Sequence, residues 1–310
     1  MRRTFIETLL NLASTDPRIL LLVGDLGYTV VEPFAERFPE RFINMGVAEQ
    51  NMVGVATGMA EAGYIPFLYS IVPFATLRPY EFIRNGPVNH RLPVRIVGVG
   101  GGFEYGTAGS THYGLEDVGV FRLLPGMTVI VPADYEQAST ALRHTWDYPG
   151  PIYYRLGKDD TNSVPDLHGR FGIGKVQQIR HGSDIIIFSM GSISRDVLSA
   201  VDQLAEKNIS CSMAVLSCIS PAPIEEIKKI ISQYPAAVSV EAHYVPGGIG
   251  SLISEVVAEY GLRCQVHCLG VKRAANGMTG SEKYMNHVHG ISISAISKTV
   301  QEILKVKQTV

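Results

Sequence analysis

Phe42-Ile43-Asn44-Met45-Gly46-Val47-Ala48-Glu49-Gln50-Asn51 decides how this chain reads. A short apolar strand at Phe42–Asn44 runs into a glycine turn, and a helix follows from about Val47 to Ala62. A second strand, Tyr64–Tyr69, comes directly after it. Strand, turn, helix and strand in this order spell a βαβ unit, which needs parallel strands with helices on their faces. Upstream, a helix near Thr4–Ala13 leads to a strand at Ile19–Val23 that breaks at Gly24-Asp25-Leu26-Gly27. Downstream come a helix around Thr76–Asn85 and strands at Val94–Val99, Thr128–Val131 and Ile152–Arg155, with a helix at Tyr135–Trp146 before the last. Strands this uniformly apolar are expected to be covered on both faces.

Residues 157–182 change character. Gly157-Lys-Asp-Asp-Thr-Asn-Ser-Val-Pro165 and the polar pieces after it read as a connector, with a hairpin expected at Gly172–Gln178. A second alternating set begins at Asp184–Met190 and ends in a helix near Ala295–Leu304. The fold class expected is therefore α/β, with two domains of mainly parallel sheet flanked by helices. Their limits are placed at residues 1–160 and 183–310, with a connector over 161–182.

Composition sets bounds on partners. The 310 residues are 46% apolar and 18% charged, with a net charge of −2, so a polyanion such as nucleic acid finds no electrostatic footing. The longest apolar runs, such as Ile19–Val23 and Ile185–Phe188, have strand length, well short of a membrane span. No secretory signal pattern opens the sequence, and a cytoplasmic location is expected. Cys211, Cys218, Cys264 and Cys268 fall in or beside strand patterns, where they read as small buried hydrophobes; no metal ligands are assigned.

Three constellations can carry chemistry. Glu49 stands in the first turn of a helix after a strand, where parallel α/β folds present ligand-binding groups. A carboxylate there also serves a plainer purpose, complementing the helix N-terminus. Pro66–Tyr80 crowds Phe67, Tyr69, Phe74 and Tyr80 around a strand end and a helix start, fit either for core or for a flat heteroaromatic ligand. Gly100–Gly114 holds six glycines in fifteen residues together with His112, and so permissive a loop brings backbone close to a ligand or another chain. Histidine titrates near neutral pH and suits proton transfer, although it also commonly satisfies a loop carbonyl.

In this order and spacing, Gly46-Val-Ala-Glu-Gln50, Pro66–Phe74 and Thr111-His112 resemble the pyrimidine-binding domain of the transketolase family of thiamine-diphosphate enzymes. Leu92-Pro-Val94, Pro125–Pro132 and Gly150–Arg155 match it as well, and Val240–Gly248 is similar to the family's C-terminal domain. The resemblance implies thiamine diphosphate as cofactor, with Asp25, Leu26, Glu49, Gln50, Ile71 and Phe74 as the positions that bind it. Glu49 would hydrogen-bond N1′ of the aminopyrimidine and promote the imino form that deprotonates the thiazolium C2, while Phe74 would stack on the pyrimidine. Glu49 and His112 are thus the implied catalytic residues, and Arg78, His112, Arg155 and Lys158 the implied substrate contacts.

Departures bear on the substrate. Ala108 stands where relatives carry the aspartate of Asp-Gly-x-Thr-His, and Gly100 where they carry a sugar-contacting histidine. The family's Gly-Asp-Gly…Asn motif, which holds the diphosphate through Mg²⁺ (or Ca²⁺), occurs nowhere in the 310 residues. The resemblance therefore implies half an active site. An N-terminal-half partner subunit would carry that motif and the metal, in an α2β2 assembly acting on a small sugar. The implied function is a transferase moving a two-carbon ketol unit from a ketose, phosphorylated or analogous, to an acceptor. Two other readings stay open: the β subunit of a 2-oxoacid dehydrogenase E1-type or acyl-transferring thiamine-diphosphate enzyme, and a catalytically inactive regulatory α/β subunit.

Overall fold

The computed structural model describes residues 1–275 and 277–308; residue 276 and residues 309 and 310, the end of the expected second domain, lie outside the described residues. Twelve strands run through the described chain: β1 (Ile19–Val23), β2 (Phe42–Asn44), β3 (Ile65–Ile71), β4 (Arg95–Val99), β5 (Thr128–Ile130), β6 (Ile152–Leu156), β7 (Gln177–Arg180), β8 (Ile185–Met190), β9 (Cys211–Val215), β10 (Cys218–Ser220), β11 (Ala236–Tyr244) and β12 (Gln265–Val271). They build a seven-stranded sheet in the order β10-β5-β6-β4-β3-β1-β2 and a five-stranded sheet in the order β12-β11-β8-β9-β7. Every neighbour pair is parallel except β10 with β5 and β7 with β9. The fold is α/β, with two parallel-dominated sheets flanked by helices.

Side-chain alternation explains the layers. From β1, β3 and β4, Leu20, Leu22, Leu68 and Ile96 point to one face and pack with Met52, Val53 and Ala56 of the helix Glu49–Glu61. Leu21, Val23, Phe67, Tyr69, Val97 and Val99 point to the other face and pack with Phe5, Ile6 and Leu9 of the helix Arg2–Ala13. Strands buried on both faces lose the polar half of their alternation, which is why the sequence shows continuous apolar runs. Burying each Leu or Phe contributes about 1.5–3 kcal/mol.

Four expectations need correction. The helix expected over Thr76–Asn85 is broken into Val72–Thr76, Tyr80–Ile83 and a wider turn at Arg84–Val88, because Pro79 and Pro87 cannot donate to the helical ladder. No hairpin forms at Gly172–Gln178; instead β7 pairs antiparallel with β9, Gln177 opposite Val215. Strand β10 is absent from the expected elements, and it crosses from the second domain to pair with β5 of the first, Cys218 opposite Ile130. Cys211 and Cys218 are buried as expected, whereas Cys264 and Cys268, at the edge strand β12, are half-exposed. Among the described residues no helix is long and apolar enough to cross a membrane.

Candidate active site

In the first sheet β1 lies between β2 and β3, so the chain leaves β1 toward one side and returns on the other. Such a reversal opens a crevice beyond the carboxyl ends of the strands. Gly24 follows β1, Ser70 and Ile71 close β3, and the turn after β2 delivers Glu49. Gly46 takes φ +65° in that turn, a conformation glycine adopts at little cost. Glu49 then opens its helix and is only 1% exposed.

Both carboxylate oxygens of Glu49 have partners. Oε1 accepts from Ser70 Oγ at 3.1 Å, and Oε2 accepts from Arg78 Nη1 at 2.5 Å. The sequence suggested a carboxyl group walled by aromatics; the structure adds a guanidinium to it. Arg78 reaches Glu49 across Phe74, its Cζ 4.5 Å from the ring centroid. Phe74 sits in the short helix Val72–Thr76, which Pro73 starts and Ile71 caps, and its ring remains half-buried. On Gly24 a Cβ would stand 3.1 Å from Glu49 Oε1 and 3.2 Å from Ser70 Oγ, so the missing side chain keeps the carboxylate accessible from β1.

His112 continues the row. It lies in a helical turn at Ser110–His112, with Nδ1 3.0 Å from Thr111 Oγ1 and its ring edge-on to Phe74 at 5.1 Å. The loop carrying it is closed at its base by the pair Gly102–Gly114, whose N–H groups each donate to the other's carbonyl. Tyr105 follows at 6.4 Å from His112, and Lys158 Nζ lies 4.5 Å from the Tyr105 centroid. One line of groups therefore runs from Glu49 through Arg78, Phe74, His112 and Tyr105 to Lys158.

The other candidates divide. Asp25, at φ +52°, is exposed and accepts from Asn44 Nδ2 at 3.2 Å; Leu26 beside it is half-buried. Both lie at the carboxyl end of β1, next to Gly24. Gln50 is exposed one position after Glu49. Arg155, expected among the substrate contacts, is not brought to this group. It is 5% exposed, its Nε 2.9 Å from Asp117 Oδ2, and its Nη2 donates to the carbonyls of Gly114 and Ala242 at 2.7 and 2.9 Å. The alternation of β6 sends Tyr153 to the same face, where its hydroxyl donates to Asp117 Oδ2 at 2.6 Å. Through Nη2 this buried guanidinium ties the glycine loop to β11 of the second domain. Glu241 on that strand accepts from the N–H groups of Ile249 and Gly250 at 2.8 and 2.9 Å, and burial pushes its pKa up to about 8. Within the Val240–Gly248 motif, Ala242 thus serves the domain junction, while Glu241 holds the start of the following helix.

Sequence reading missed Ser70, the Arg78–Glu49 pair and Tyr105. The only advance signal for the first was its position at the end of β3, one strand from Gly24.

Fold and site together define a two-domain α/β chain with a carboxylate and an aromatic platform at the switch point of its first sheet. Residues 1–163 match the transketolase pyrimidine binding domain, and residues 174–296 match the transketolase C-terminal domain. This chain belongs to the transketolase family. A 6-deoxy-6-sulfo-D-fructose transketolase subunit from a Clostridium species is 32% identical over 99% of this chain and 95% of its own length. One subunit of the apulose-4-phosphate transketolase of Phocaeicola vulgatus is 30% identical over 98% of this chain and 97% of its own. A solved split-gene transketolase, an inactive β4 tetramer, covers 98% of each chain with a TM-score of 0.87 and 31% identity.

Proposed function

We propose that this chain is the C-terminal-half subunit of a split transketolase-like transferase, which uses thiamine diphosphate to move a two-carbon ketol unit from a ketose to an acceptor. The observation that carries this reading is the position of Arg78. Its guanidinium, a flat nitrogen-bearing cation, lies against the face of Phe74 and donates to Glu49 Oε2. The space between ring and carboxylate thus admits a planar N–H group, and an aminopyrimidine has that shape and that donor.

Thiamine diphosphate, when bound, supplies the nucleophilic carbon that a ketol transfer requires. Phe74 offers stacking surface to its pyrimidine, and Glu49 holds or moves a proton at the ring nitrogen that takes the place of Arg78 on Oε2. Ser70 keeps Oε1 fixed, so the proton stays on the oxygen facing the ring. Arg78 swings out toward solvent, where it already exposes 36% of its side chain. Ile71, Asp25, Leu26 and Gln50 line the rim of the same crevice. His112, beyond Phe74, serves substrate oxygens, and Lys158 receives an anionic substrate end.

The diphosphate and its Mg²⁺ or Ca²⁺ fall to an N-terminal-half partner. Support for such a partner comes from apolar side chains left bare beside the site: Tyr28 is 72% and Val47 73% exposed, with Leu77 and Phe82 also exposed. Patches of this kind mark surfaces that another chain covers. The relatives named as transketolase subunits, matched over nearly their whole length, support the same division. Co-expression with a chain bearing Gly-Asp-Gly…Asn, followed by a screen of ketose donors for aldehyde release, tests the proposal. Release of CO₂ from 2-oxoacids, without ketol transfer, would replace it with the dehydrogenase-type reading.

Two variants probe the site within that complex. Phe74→Ala is expected to weaken cofactor affinity about tenfold, since ring stacking contributes roughly 0.5–1.5 kcal/mol, while Glu49 still handles the proton. Activity titrated against cofactor concentration measures this, and a change confined to substrate KM would remove Phe74 from the cofactor face. His112→Ala is expected to lower turnover about 10²-fold or more and to spare proton exchange at C2 of the cofactor. Exchange followed by NMR in deuterium oxide separates the two; if it slows as much as turnover does, His112 belongs to the cofactor side.

A further inference from the structure

Gly100 follows β4 with φ +81° and donates its N–H to Leu156 O at 2.9 Å. A Cβ built on it would collide with Cδ2 and Cε2 of Tyr105, so the ring occupies the volume that any side chain at position 100 would need. Strands β3, β4 and β6 lie side by side in parallel, which sets their carboxyl ends, at Ile71, Gly100 and Gly157, along one edge of the sheet. The Tyr105 ring is therefore laid over the crevice edge beside His112.

Two features make this more than a packing exchange. Tyr105 is half-buried, and its hydroxyl donates to no protein group among the described residues. The Lys158 ammonium stands 4.5 Å from its ring centroid and makes no close ion pair among the described residues, with Glu282 its longer-range carboxylate neighbour. The backbone beneath Lys158 is held: its N–H donates to Glu104 Oε2, and its carbonyl accepts from Arg2 Nε at 2.9 Å. An unused O–H donor and an ammonium without a close carboxylate thus share one end of the row. Ala108, exposed on the same loop, adds no further carboxylate to Glu104, which the Lys158 N–H engages, and Glu282.

We propose that Tyr105 is a specificity-determining residue: its ring shortens the substrate cleft by filling the space over Gly100, and its hydroxyl, beside Lys158, receives the tetrahedral oxyanion of a short phosphorylated or sulfonated sugar. Phosphate and sulfonate share the geometry that one O–H and one ammonium grip. The cleft's role as a sugar site rests on the function proposed above, so the test carries one arm that does not depend on turnover.

In that arm, inorganic phosphate and methanesulfonate are titrated into the full chain and into Tyr105→Phe, which keeps the ring and removes only the hydroxyl. The variant is expected to bind one of the two anions about tenfold more weakly, and the anion affected identifies the group the site takes. Unchanged affinity for both overturns the role of the hydroxyl. In the second arm, the complex with the partner subunit is given ketose donors that differ by one carbon and carry the same terminal oxyanion. Tyr105→Ala is expected to shift selectivity at least tenfold toward the longer donor, with Tyr105→Phe raising KM rather than lowering kcat. An unaltered length preference overturns the role of the ring. Should the wild-type complex transfer no ketol unit from any donor, the proposed function fails, and the anion titration still decides the case of Tyr105.

Discussion

Glu49→Gln is expected to lower the proposed ketol-transfer turnover about 10²–10⁴-fold and to leave the fold as it is, the range that follows removal of a positioned proton-transfer group. The amide has the same shape, so Ser70 keeps a partner where Oε1 now stands, and the helix Glu49–Glu61 keeps its buried face of Met52, Val53, Ala56 and Ala60. What disappears is the negative charge. Arg78 loses its ion pair, but a side chain already 36% exposed can be solvated, so little stability is lost. The chemistry has no such relief, because an amide cannot take up and return a proton at the ring nitrogen. Steady-state turnover beside circular dichroism and thermal unfolding makes the measurement. Turnover near that of the wild type, with the fold intact, would leave Glu49 as a mere complement to the helix N-terminus.

The second large effect concerns assembly. Titrated alone, this chain is expected to hold thiamine diphosphate only in the millimolar range, because stacking and one or two hydrogen bonds are worth a few kcal/mol. Arg78 makes the affinity weaker still, since it already occupies Oε2 and must be displaced. Adding the partner subunit and Mg²⁺ should tighten binding about a thousandfold or more, into the micromolar range. A symmetric α2β2 assembly would place two such sites about its axis. Calorimetry on the chain with cofactor and metal, then on the complex, reads both states. Micromolar binding by the isolated chain, or ketol transfer without a partner, would defeat the half-site reading.

Legibility in the sequence differs from element to element. Strand and helix order in both domains can be read because buried parallel strands and amphipathic helices carry strong local patterns. Glu49, Phe74 and His112 stand out as a group because each lies at a helix start or in a loop with a distinctive composition. Arg78 can be named, but its grip on Glu49 depends on how Pro79 interrupts the following helix, which no local pattern specifies. Arg155 departs from expectation for a similar reason: whether a strand arginine meets a ligand or a buried carboxylate depends on what the rest of the fold brings up against it. Tyr105 carries no signal at all, since only the folded chain lays its ring over Gly100, five residues before it.

Strand β10 has a bearing on how the molecule is made. The nascent chain completes β5 and β6 long before Cys218–Ser220 leave the ribosome. During that interval β5 is an edge with bare N–H and C=O groups, and Val131 N–H still lacks the Ser217 carbonyl that it meets at 2.7 Å in the finished protein. Open sheet edges are the places where strands pair wrongly with other chains. Synthesis therefore passes through a vulnerable stretch while the second domain is being threaded out, and the first domain finishes its sheet only when the second supplies its last strand.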